Sequence, residues 1–217
     1  MANSEKTKST LVHDTICLFV ITLVAGLLLG AVYTITKKPI DDQTEKKKQE
    51  AYAAVYAGAE FASDKDIQTA LDQYNADLAA GKVKTGSGEV LSDVVVSEVM
   101  KAQVDGKDAG YVVTCSGKGY GGAITVALGI DQEGVIKGIQ VTDCSNETPG
   151  LGQNASGKDW NGQYIGMNTS QDISVVKDGT GSADEGKVNA ISGATITSSA
   201  VTRAVNGTLL FLASLSE

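Results

Sequence analysis

One histidine, three cysteines, two prolines and 5% aromatic residues leave this chain of 217 residues short of the side chains from which most metal and redox centres are built. His13 stands alone, and Cys17, Cys115 and Cys144 include no Cys-x-x-Cys pair. Zinc sites and iron–sulfur clusters draw on grouped Cys and His, so both are disfavoured here. Any redox centre has to be a borrowed cofactor. Positive charge is also in deficit, with a formal net charge of −8. That argues against a nucleic-acid partner, because phosphate binding needs a basic face. The phosphate-loop pattern Gly-x-x-x-x-Gly-Lys-Ser/Thr is missing, and Lys118 in its glycine-rich turn resembles it only superficially. No tract has the composition of a disordered segment, and the length suits one domain of ordinary size.

One long apolar run is present. Ile16 to Ile35 carries no charge, and about twenty residues at helical rise span the hydrocarbon core of a bilayer. A cleaved signal peptide has a shorter apolar core and a small-x-small exit, whereas Lys37, Lys38 and Pro39 follow directly here. The run therefore reads as an uncleaved anchor, with a long signal peptide as the alternative. The implied organisation is a tail over 1–15, a transmembrane helix over 16–36, a stalk helix over 37–60 and a domain over 61–217. Lys6 and Lys8 precede the span, whereas Lys37, Lys38, Lys46, Lys47 and Lys48 follow it. A literal positive-inside count places the following domain in the cytoplasm.

After the anchor, Ala51, Val55 and Ala59 recur at helical spacing, extending the stalk helix from Asp41 to Ala59. A second helix is predicted over Asp64 to Ala80, stopped by Gly81. From Val94 the pattern changes to strands: Val94 to Met100, Tyr111 to Cys115, Ala123 to Ile130 and Val135 to Val141. Asp105-Gly106 and Asp131-Gln-Glu-Gly134 supply the turns. Sequential strands with short turns predict an antiparallel meander. A further short strand is expected near Asp172 to Val176. A last helix is expected from about Ser198 to Leu215, with Thr197 or Ser198 as its N-cap. The class is α+β, with helices gathered against an antiparallel sheet.

The segment Ser192-Gly-Ala-Thr-Ile-Thr-Ser198 has two readings. One is a tight turn feeding a helix cap. The other is an anion site, since a small-residue turn before a helix offers free amides and a positive dipole end. Glu147-Thr-Pro-Gly-Leu-Gly152 is by itself a Pro-Gly turn that exposes amides and the Leu151 side chain. Glu147 has no histidine or cysteine dyad near it, so it reads as a loop brace rather than a general base. Cys115 and Cys144 are a possible disulfide if the domain is extracytoplasmic.

These two segments carry a family resemblance. Asn189-Ala-Ile-Ser-Gly-Ala-Thr-Ile-Thr-Ser198 resembles the flavinylation motif of the FMN-binding domain family, in which Asp usually stands where this chain has Asn189. Glu147 to Gly152 resembles a loop shared by the G subunits of Rnf complexes and the C subunits of Na⁺-pumping quinone reductases. Many relatives have His where Ser145 stands. Weaker similarity covers Ala54 to Phe61, Gly117 to Gly122 and the segment holding Trp160, Gln163, Tyr164 and Gly166. Trp160 itself reads as packed inward, with a place beside a flavin left open.

The resemblance implies a covalent FMN, joined by a phosphoester to Thr195. Ser192, Gly193, Ala194, Thr197, Ser198, Glu147, Thr148, Leu151 and Gly152 would surround it. It further implies an electron-transfer subunit of a single-pass kind in the bacterial cytoplasmic membrane, in contact with membrane lipid. The complex would couple ferredoxin:NAD⁺ electron transfer to Na⁺ or H⁺ translocation. Partners would be the other Rnf membrane subunits, including a second flavinylated one, and the transferase that moves FMN from FAD during maturation. Family topology places the flavin domain on the extracytoplasmic side, against the lysine count. The Rnf type is the better match to a short chain without insertions. A quinone-reductase C subunit, a free-standing anchored flavoprotein and an anchored module without flavin are the alternatives.

Overall fold

The computed structural model describes the backbone of residues 2–215 and the side chains of residues 12–215. The side chains of Lys6 and Lys8, used in the orientation count, lie outside the described residues. The chain forms two compact units that divide between Lys47 and Lys48.

Helix α1 (Ala2–Val55) makes up the first unit and contributes its last two turns to the second. It runs unbroken through Pro39, so no boundary separates an anchor helix from a stalk helix. Every side chain from Val12 to Lys47 is exposed, Leu29 at 71% and Ile35 at 74% among them. Among the described residues it is the one helix long and apolar enough to cross a membrane.

In the second unit α1 stops at Val55 rather than Ala59, and Gly58, at φ +74°, turns the chain into an edge strand, β1 (Glu60–Ser63). Asp64 then caps α2 (Lys65–Ala79), its side chain accepting from the amides of Asp66 and Ile67. Ile67, Leu71 and Leu78 are the buried stripe of that helix. Four longer strands follow: β2 (Val94–Val104), β3 (Lys107–Lys118), β4 (Ala123–Asp131) and β5 (Ile136–Asp143). They form the predicted meander, in the order β1-β2-β3-β4-β5 and antiparallel throughout. Asp105 and Gly106 both adopt positive φ at the β2–β3 turn, as a tight hairpin requires.

A bulge between Val96 and Glu98 shifts the alternation of β2 by one residue. Val94, Val96 and Val99 therefore face the main core with α2 and the final helix, α4 (Thr195–Ser214), whereas Ala102 joins a smaller cluster with Ala51, Tyr52 and Val55 of α1. On that second face Gly129 and Gly138 leave room for α1: a Cβ at either would stand 2.3 or 2.5 Å from the Val55 carbonyl oxygen. Tyr52 Oη donates to Glu98 Oε2 at 2.6 Å and lies 2.7 Å from Thr114 Oγ1, fixing the end of α1 to the sheet.

The long connection after β5 contains a short helix, α3 (Lys158–Asn161), and two small strands, β6 (Ser174–Val176) and β7 (Lys187–Asn189), paired in parallel. β7 had no signal in the sequence, since three residues show no period. Cys115 and Cys144 are both free. Both lie buried in the main core. Burial pushes the Cys115 thiol up to about 12.

Candidate functional site

Three connections meet at the same end of the sheet: the glycine-rich β3–β4 turn, the loop Glu147–Gly152 and the turn leading into α4. Between them lies a groove of about 450 Å³, lined by Tyr120, Glu147, Thr148, Leu151, Gly152 and residues 193–197. That volume is in the range of small-molecule sites. Of the residues singled out from the sequence, Gly193, Ala194, Thr195, Thr197, Glu147, Thr148, Leu151 and Gly152 line it. Ser192 is exposed beside the groove and Ser198 is buried beneath it; neither is in the lining.

Glu147 forms the floor. It is 3% exposed, and its two carboxylate oxygens accept from different loops. The Gly121 amide donates to Oε1 at 2.8 Å, and the Thr197 hydroxyl donates to Oε2. Gln153 Nε2 donates to the Glu147 carbonyl oxygen at 3.1 Å, holding its own loop closed. The packing leaves no spare space: a Cβ on Gly119 would lie 2.5 Å from Oε1, and one on Gly152 would lie 2.6 Å from Oε2. Glu147 thus ties all three connections together as a brace.

Helix α4 starts at Thr195, three residues earlier than its sequence pattern suggested, and neither Thr197 nor Ser198 caps it. Both hydroxyls are engaged elsewhere: Thr197 binds Glu147, while Ser198 Oγ accepts the Ile191 amide at 2.9 Å and donates to the Ala194 carbonyl at 3.0 Å. The N-cap is Ala194, which offers no side-chain acceptor. The amides of the first turn of α4 therefore face the groove without a capping group, and the positive end of a 20-residue helix points there. Gly193 holds φ +74° just before it, and Cδ2 of Leu151 is 3.1 Å from where its Cβ would be. Thr195 itself is half-exposed, and among the described residues its hydroxyl has no partner.

Two lining residues escaped the sequence reading. Tyr120, 73% exposed, and Ile196, 54% exposed, stand on the rim with Leu151 at 41%. The signal for Tyr120 was its position between Gly119 and Gly121, where a bulky side chain projects from a backbone that has no room for others. Trp160 is outside the groove lining. Its ring meets Tyr164 edge-on at 5.8 Å, and Nε1 donates to the Asn189 carbonyl at 2.7 Å. Asn189 Oδ1 in turn accepts the Gly181 amide at 2.9 Å, behind the site rather than in it.

Residues 119–209, which contain all three connections, match the family model described as FMN-binding domain. The G subunit of the Na⁺-translocating ferredoxin:NAD⁺ oxidoreductase complex of Acetobacterium woodii is 34% identical over 204 residues, 92% of this chain and 90% of that one. The G subunit of the proton-translocating ferredoxin:NAD⁺ oxidoreductase complex of Clostridium ljungdahlii is 39% identical over 104 residues, 48% of this chain and 54% of that one. Among solved structures, the NqrC protein of Shewanella oneidensis covers 54% of this chain and 60% of its own, with 26% identity and a TM-score of 0.46. With nine-tenths of both chains aligned to the first of these relatives, this protein belongs to the family of G subunits of ion-translocating ferredoxin:NAD⁺ oxidoreductase complexes, and it carries their FMN-binding domain.

Proposed function

We propose that the groove holds FMN covalently, through a phosphoester on Thr195 Oγ1, and that the chain relays electrons within a membrane complex. That complex couples ferredoxin:NAD⁺ oxidoreduction to translocation of Na⁺ or H⁺. The observation that carries the attachment is the contrast among the hydroxyls at the start of α4. Thr195 is half-exposed at the uncapped helix end and, among the described residues, unpartnered, whereas Thr197 is 1% exposed and Ser198 is 0% exposed, each in hydrogen bonds. FMN, when bound, supplies the reversible electron uptake that no side chain in this groove provides. The chain supplies the rest. First-turn amides and the helix dipole offset the charge of a phosphoester. Leu151, Ile196 and Tyr120 offer apolar surface to a planar ring, and Glu147 keeps the three connections in register.

In maturation a transferase brings FAD. The Thr195 oxygen forms the new bond to the flavin-side phosphorus, the pyrophosphate bond breaks and AMP leaves, with the hydroxyl proton passing to solvent. The functional partners are the other membrane subunits, including a second flavinylated one. Residues 16–36 anchor the chain in membrane lipid, 37–47 continue the helix as a stalk, and the flavin domain over 48–217 works on the extracytoplasmic side of the bacterial cytoplasmic membrane. Flavin fluorescence of the denatured band in a gel tests the attachment. The wild-type chain, made in cells that have the transferase, is expected to fluoresce and Thr195→Ala to be dark. A dark wild-type band overturns the reading, and a bright Thr195→Ala band moves the linkage to another hydroxyl. Labelling of a surface cysteine by an impermeant reagent in intact cells tests the side of the membrane.

A further inference from the structure

Tyr120 is an unusual placement for an aromatic ring. Its backbone is fastened on both sides: Gly119 donates to the Gly122 carbonyl at 2.7 Å, and the Gly121 amide is held by Glu147 Oε1. A Cβ on Gly121 would stand 1.8 Å from the Asn146 carbonyl oxygen, so the turn lies directly against the neighbouring loop. Yet the ring projecting from this fixed turn is 73% exposed, and among the described residues it has neither a ring contact nor a hydrogen bond. Folding leaves an apolar ring in water beside the groove, at the end of a support that tolerates no side chain at Gly119 or Gly121. A loose loop would explain an exposed tyrosine, but this loop is not loose.

We infer that Tyr120 is a positioning residue for the flavin: its ring stacks against the isoalloxazine once FMN is joined to Thr195. This rests on the covalent-FMN reading above. Three features of the site support it. Tyr120 and Thr195 line the same groove. The ring is the large aromatic side chain of that lining, and offset stacking between planar aromatic systems is favourable beyond the area it buries. A rigid support lowers the entropy lost on contact, because the backbone is already ordered. Glu147 acts one step behind, by holding the turn from which Tyr120 projects.

The test uses the full-length, membrane-anchored chain, covalently labelled in cells that have the transferase. Label is measured first, by fluorescence of the denatured band. Wild type, Tyr120→Ala and Tyr120→Phe are all expected to be labelled equally; an unlabelled wild type indicts the Thr195 reading, not the stacking. Emission of the folded protein is then compared with that of the same sample after denaturation, along with visible circular dichroism of the flavin. A phenol in contact with an isoalloxazine quenches its emission, whereas a phenyl ring stacks without quenching. Wild type is expected to brighten several-fold on denaturation. Tyr120→Ala should be bright when folded and should lose most of the visible dichroism. Tyr120→Phe should be bright when folded but keep the dichroism. Equal label with folded emission and dichroism in Tyr120→Ala unchanged from wild type overturns the inference. So does a Tyr120→Phe variant that is as dim as wild type.

Discussion

The floor and the rim of the groove are built on opposite rules, although they share the first turn of α4. On the floor, Glu147 and Thr197 are buried, and each polar atom of the pair is matched across loops. On the rim, Thr195, Ile196, Leu151 and Tyr120 are exposed or half-exposed, and among the described residues the Thr195 hydroxyl is unpartnered. Two threonines separated by one residue therefore have different work. A helix turns about 100° per residue, so positions 195 and 197 face different directions, one to the groove and one to the carboxylate beneath it. The lesson is that a motif rich in hydroxyls does not offer interchangeable hydroxyls: burial ties Thr197 into the fold and leaves Thr195 accessible.

The sharpest way to break this comparison is Thr195→Ala, where the largest effect is expected. It should remove all covalent flavin while leaving the unlabelled protein within about 0.5 kcal/mol of wild type, as befits a half-exposed side chain with no partner. Chemical denaturation of unlabelled wild type and variant, beside the gel assay, checks both halves. A loss of several kcal/mol would place Thr195 with the floor. Next is Glu147→Ala. It leaves the Thr197 hydroxyl and the Gly121 amide without their acceptor, and hydrogen bonds to a charged group are each worth about 1.5–3 kcal/mol. A destabilisation of about 3–6 kcal/mol is expected, seen as a lower denaturation midpoint, with label falling as the turn loosens. Thr197→Val is smaller. It keeps the shape but strands one carboxylate oxygen, costing about 1–2 kcal/mol, and the denatured band should still fluoresce. A dark Thr197→Val band at full stability would put Thr197, too, among the hydroxyls used for chemistry.

Most of the sheet was legible because its strands are long, rich in β-branched residues and separated by recognisable turns such as Asp105-Gly106. The candidate membrane helix was legible from an uncharged apolar run long enough to cross a bilayer. What escaped has physical reasons. β7 is three residues long and is held by a parallel pairing with β6, which no local pattern encodes. The start of α4 was placed too late because Thr197 and Ser198 look like N-caps, yet tertiary partners, Glu147 and the Ile191 amide, outcompete the helix end for their oxygens. The flavin motif pointed to the groove as a set of residues on two segments. It could not reveal that Tyr120, outside both segments, and Ile196, within one, stand on the rim, because an exposed apolar residue is unremarkable until the fold shows what it stands beside. Nor could it separate Thr195 from Thr197, since burial is a property of the folded chain.

The smallest effect is expected from Asn189→Asp, which restores the acid that usually opens the flavinylation motif. Asn189 belongs to neither floor nor rim. Its Oδ1 accepts the Gly181 amide at 2.9 Å, its carbonyl accepts from Trp160, and its amide donates to Gln163 Oε1 at 2.9 Å. An aspartate keeps the same acceptor toward Gly181, so the bracing function survives, and a half-buried carboxylate at this position retains access to water. Stability should stay within about 0.5 kcal/mol of wild type, and the yield of label at completion should be unchanged. A time course of labelling by the transferase adds the discriminating measurement. If residue 189 only holds the loop behind the groove, the two proteins label at the same rate. Faster labelling of Asn189→Asp at equal stability would mean that the transferase reads this side chain directly, and that the site it recognises extends past the groove lining to the loop around Gly181.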